Sequence, residues 1–141
     1  MELDVQIILS ERIERMQAAP HEERSTIINP KVSFDVPFIP GAITFGVAII
    51  TSGLDMSVSN TLNFKIYHKK TGRVVFQLLD EEVPPYPGID GDNFMFSFSL
   101  ANQEFYDTGE YAAEFWINDS DVFSHRFNVV ADKILKVDVD E

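Results

Sequence analysis

The stretch NFMFSFSLA, residues 93–101, decides the fold. Phe94, Phe96, Phe98 and Leu100 share one parity, while Met95, Ser97, Ser99 and Ala101 share the other. A helix would scatter these residues around its circumference. A strand, whose side chains alternate between faces, gathers them into one apolar side and one small, more polar side. Such a strand buries its aromatic side only against a second layer.

The same period runs outward in both directions. Val32, Phe34, Val36 and Phe38 share a face opposite Lys31, Ser33 and Asp35. After PFIPG (37–41), whose prolines interrupt a ladder and turn the chain, come Ile43, Phe45, Val47 and Ile49. Leu62, Phe64 and Ile66 alternate with Asn63, Lys65 and Tyr67. The loop KKTGR (69–73), with Gly72 free to take a positive φ, leads into Val74, Phe76 and Leu78. Downstream lie Tyr111 to Ile117 and, beyond the turn NDSD, Val122 to Val130. The spacing predicts seven or eight short strands. Twelve phenylalanines in 141 residues suit such a fold, because flat rings pack well across strands.

The amino-terminal thirty residues break the pattern. LDVQIIL (3–9) reads as a strand, but SERIERMQAAPHEER (10–24) is charged and lacks a full apolar stripe. A short helix or irregular excursion is expected there, broken at Pro20. We expect a single domain over 1–141: a strand plus excursion in 1–30, a sandwich core in 31–132, and a tail or last strand in 133–141. PPYPG (84–88) reads as a loop between strands.

The net charge of −12 is uneven. Residues 31–79 hold five bases and two acids; residues 80–141 hold three bases and fifteen acids. This balance repels phosphates and anionic lipids, so neither nucleic acid nor membrane is an expected partner. A basic protein, or a second copy of the chain, is. No cysteine is present, which removes disulfides, thiolate metal sites and a cysteine nucleophile. With no basic region ahead of IIL and no segment long enough to span a bilayer, the expected location is cytoplasmic.

The chain carries no pattern for an active site, and a non-enzymatic module without cofactors is expected. His21, His68 and His125 lack metal-ligand spacing, and His125 shares parity with Phe123 and Phe127, so partial burial is expected. TSGLD (51–55) is no nucleophile elbow, and there is no phosphate-binding glycine loop. GIDGDN (88–93) offers Asp90, Asp92 and Asn93, with Asp80, Glu81 and Glu82 upstream. It lacks the remaining ligands of an EF-hand and reads first as a turn. Asn118-Asp119-Ser120 is a formal glycosylation sequon that reads as a turn.

Asp107-Thr108-Gly109-Glu110-Tyr111 resembles the D-x-G-x-Y segment that opens strand F of immunoglobulin-like sandwiches. The resemblance implies an all-β, immunoglobulin-like β-sandwich with an inward tyrosine whose hydroxyl bonds back to the corner backbone. Asp107 is expected to accept from nearby N–H groups. Ala113 stands where the family carries a cysteine, and the sole tryptophan, Trp116, does not match the family's core tryptophan. The strand ordering is also similar to that of small uncharacterised bacterial and prophage proteins of this fold. With Tyr111, Ala113, Phe115 and Ile117 inward, Glu114 and Trp116 face outward, as candidate protein-contact residues covered by the same chain or a copy of it. The expected function is a protein-binding or structural module acting through sheet edges or an exposed aromatic face. The alternatives are a phage-type acidic inhibitor of a basic host protein, or a calcium-dependent module using acids at 80–92.

Overall fold

The computed structural model describes residues 2–19, 22–86 and 93–135. These residues form nine strands: β1 (Asp4–Ala19), β2 (Glu22–Pro30), β3 (Ser33–Ile39), β4 (Gly41–Ser52), β5 (Asn60–His68), β6 (Val74–Val83), β7 (Asn93–Phe105), β8 (Gly109–Ile117) and β9 (Phe123–Ile134). They make a four-stranded sheet, β2-β1-β4-β7, and a five-stranded sheet, β3-β9-β8-β5-β6. All neighbours are antiparallel except β3 and β9, which run parallel. The inner faces meet as a sandwich filled by alternate residues: Phe45, Val47 and Ile49 from β4, Leu62, Phe64 and Ile66 from β5, Tyr111, Phe115 and Ile117 from β8.

Aromatic rings tie the sheets together. Phe34, Phe45, Phe105, Tyr111 and Phe127 form a closed circuit, each ring 5.2–6.1 Å from the next. Phe45 and Phe105 belong to the four-stranded sheet, and Phe34, Tyr111 and Phe127 to the five-stranded one. The abundance of phenylalanine is thus spent between the layers, where tilted and edge-on ring pairs add to area burial.

Three expectations need correction. The excursion at 10–24 holds no helix among the described residues; residues 10–19 pair with 22–30 as the two legs of a hairpin. Glu, Arg, Met, Gln and Ala favour helices, but cross-strand pairing overrides so small a preference. The Arg12 Nε to Glu14 Oε1 contact of 2.9 Å joins residues two apart, which share a face only on a strand. The strand count therefore rises to nine. Second, Phe34 and Val36 face inward but Phe38 is 48% exposed and Ile39 takes the buried place. Pro37 has no N–H for the ladder to β9, and the alternation lapses there. Third, the start of the tail makes no new strand: Lys133 and Ile134 continue β9 opposite Phe38 and Ile39.

β1 changes partner at Ser10, which stands opposite both Gly46 of β4 and Pro30 of β2. Beyond it the hairpin folds over the outer face of the four-stranded sheet as an arm, and Arg15 reaches the hydroxyl of Ser97 on β7 at 2.8 Å. Gly46 is the crossing point. A Cβ there would sit 2.8 Å from Ile13 Cγ1 and 2.9 Å from Ser10 Oγ. Gly46→Ala should therefore destabilise the protein by about 1–3 kcal/mol through overpacking, measured by urea unfolding. An exposed Gly72→Ala control lacks that clash, with nothing within 4 Å of its Cβ, and pays only for its positive φ.

Candidate functional site

The D-x-G-x-Y segment builds a corner. Gly109, at φ 107°, turns the chain into β8, and the Tyr111 hydroxyl donates to the Asp107 carbonyl oxygen at 2.6 Å. The ring packs edge-on against His68 at 4.9 Å and stacks on Phe127 at 5.4 Å. His68 lies on the buried parity of Leu62, Phe64 and Ile66. Its Nδ1 accepts from the Thr71 N–H at 3.1 Å, which leaves Nε2 to donate to the Thr108 carbonyl at 2.9 Å. Both nitrogens are spent on backbone, so this histidine braces the corner. The expected N–H donor to the Asp107 carboxylate is missing at one oxygen: its Oδ2 is buried without a hydrogen bond and lies 3.8 Å from Arg73 Nε.

The outer face of the five-stranded sheet carries both residues singled out as contacts. Glu114 and Trp116 lie opposite Lys65 and Asn63 of β5, and both are half-buried. Glu114 accepts from the Tyr67 hydroxyl at 3.0 Å, and Lys65 Nζ lies 5.0 Å over the Tyr67 ring. Burial, then this bond to Glu114, holds the Tyr67 hydroxyl above its ordinary pKa. Asn63 turns its side chain to the Asp80 N–H at 2.8 Å, where β6 bulges. Glu114 is thus committed within the chain. The arm covers the other sheet rather than Trp116.

A surface that parity alone did not single out lies along one flank. β6 and β7 end their respective sheets on the same side of the sandwich, and between them runs a groove of about 440 Å³. Phe94, Phe96 and Phe98 line it, with Val83 and Tyr86 on the β6 side and Arg15 of the arm on the other. The rings continue from Tyr86 through Phe94 to Phe96, at 5.5 and 4.8 Å. The alternation of 93–101 implied these rings; only the tertiary order of strands shows that they stop at a strand that ends its sheet among the described residues.

Asp90 and Asp92 of the calcium reading lie outside the described residues; among those described, no group of three or more His, Cys, Asp or Glu is placed to hold a metal. No described helix is long and apolar enough to cross a membrane. No family model matches the chain, and no curated protein matches it either.

Tyr111 and His125 give opposite pH responses. Burial pushes the Tyr111 hydroxyl up to about 12, so its contribution is intact below pH 10 and is lost as pH rises from 10 through 12. Tyr111→Phe leaves the Asp107 carbonyl unpaired and should cost about 1–2 kcal/mol near neutrality, with a shallower alkaline decline in chemical unfolding. His125 shares the inner parity of Phe123 and Phe127, and burial lowers its pKa from 6.5. The unfolded chain takes up that proton first, so acidification below 6.5 destabilises the fold through this group. His125→Gln should lose less stability than wild type between about pH 7.5 and about pH 5.5 in paired thermal melts.

Proposed function

We propose that the chain is a non-enzymatic polypeptide-binding module on an immunoglobulin-like sandwich, acting through its open β6–β7 flank. The family reading draws support from strand order. β9-β8-β5-β6 matches the family's G-F-C-C′ order, and β1-β4-β7 matches A-B-E, with the tyrosine corner opening the strand in the F position. The family's strand D, which flanks E, has no counterpart among the described residues.

The observation that carries the functional reading is the aromatic groove beside an unpaired edge. β7 is 13 residues long, and among the described residues only β4 pairs with it. Long edges with apolar surroundings are places where chains associate, and proteins that do not use them cover or charge them. Residues 93–101 carry no charge of their own, and Arg15 of the arm donates to the Ser97 main-chain oxygen at 3.2 Å. Tyr86 at the groove is 52% exposed, an aromatic anchor of the kind found at interface centres.

A photo-crosslinking amino acid placed at position 86 in cells should capture a discrete polypeptide. The same group at position 116, on the outer face of the five-stranded sheet, should not. Capture from position 116 alone would move the binding surface to the Trp116 face and overturn this assignment.

A further inference from the structure

Resting on that reading, we propose that the amino-terminal arm is an autoinhibitory strap: in the position seen here it caps the edge of β7 through Arg15, and a polypeptide engages the flank in full only when the arm lifts. The phase of the ladders shows what Arg15 holds. The Leu9 carbonyl accepts from the Lys31 N–H at 2.8 Å, on the side of β1 away from β4. Leu9 therefore exchanges no ladder bonds with Val47 opposite it, and in antiparallel pairs such positions alternate with bonded ones. Carried across β4, the alternation makes Ile8 with Ala48, and Val47 with Phe98, the bonded pairs. Met95, Ser97 and Ser99 then direct their N–H and C=O groups off the edge of β7. Arg15 donates to the middle residue of the three, at 3.2 Å to the Ser97 carbonyl and 2.8 Å to its hydroxyl. An incoming main chain needs that same carbonyl, so arm and partner compete for it.

The attachment of the arm suits a part that lifts. Beyond Ser10 its two legs pair with each other, and among the described residues no main-chain hydrogen bond ties them to β4 or β7. Pivoting about Ser10 therefore breaks no ladder. The bed beneath the arm is small: Gly46 and Ala48 have outward parity on β4 and are buried, so little apolar area is uncovered when the arm rises. The charge-assisted bonds from Arg15 to Ser97 are the clasp. Arg15 and Ser25, one from each leg, border the groove whose lining also includes Val83 and Tyr86, so lifting the arm widens that groove.

The test uses the full chain, isotope-labelled for NMR, with the variants Arg15→Met and Ser97→Ala. In Arg15→Met, exchange with water at the amides of Met95, Ser97 and Ser99 should quicken roughly fivefold. Phe96 and Phe98, bonded to β4, should keep wild-type rates, and so should Ile13 and Ile27, because the hairpin lifts intact. Ser97→Ala removes the nearer acceptor and leaves the carbonyl, so it should give a smaller rise at the same three amides. The crosslinking group at position 86 should capture roughly fivefold more polypeptide in the Arg15→Met chain, since apparent affinity follows the fraction of chains competent to bind. Unchanged exchange at the three edge amides overturns the strap, and so does a rise spread evenly over β4 and β7, which would make Arg15 a general brace. Quickened edge exchange with equal capture at position 86 overturns the autoinhibition. Capture absent from both chains would remove the binding module, and the exchange pattern would still decide the strap.

Discussion

The circuit of five rings between the sheets is the constraint on which the remaining architecture depends. It joins β3, β9 and β8 on one side to β4 and β7 on the other, and one of its members, Tyr111, is anchored by its hydroxyl to the chain just before its own strand. That bond fixes where β8 begins, and the register of β8 fixes β5 and β9, its two neighbours. Where disulfide-bearing sandwiches use a covalent bridge, this chain has Ala113 and no cysteine. Among the described residues the sheets meet through packed apolar side chains and rings, with no disulfide to reduce.

A second set of rings obeys the same local rules and reaches a different end. Phe64 stacks on Phe98 at 5.9 Å and meets Phe76 at 6.3 Å, and Phe96 packs against Phe115 at 6.1 Å. The Phe64–Phe98 and Phe96–Phe115 contacts also cross between sheets, but the series runs outward to Phe94 and Tyr86 instead of closing on itself. The cause is topological. The first circuit lies toward the β3 end of the five-stranded sheet, and the second lies toward the flank that β6 and β7 border. The amino-terminal arm deepens the difference, since it crosses at Gly46 and forms the outer wall of the flank.

The alternation of the sequence carried most of the fold. Period two placed β3 to β9 and most of their inward residues, including Tyr111, Phe115 and the phenylalanines of β7 but not Phe38, because burial against a second layer acts on each strand separately. It also placed the corner, since Gly109 and Tyr111 act within five residues of Asp107. The arm was not legible in that way. Its residues pair with each other and lie over a sheet already complete on its inner side, so their pattern of charge resembles a solvated helix. The groove was legible only in its parts. Phe94, Phe96 and Phe98 announce an apolar face, but which strand ends the sheet beside them is settled by pairings far apart in sequence, such as Ile49 with Phe96 and Phe64 with Leu78.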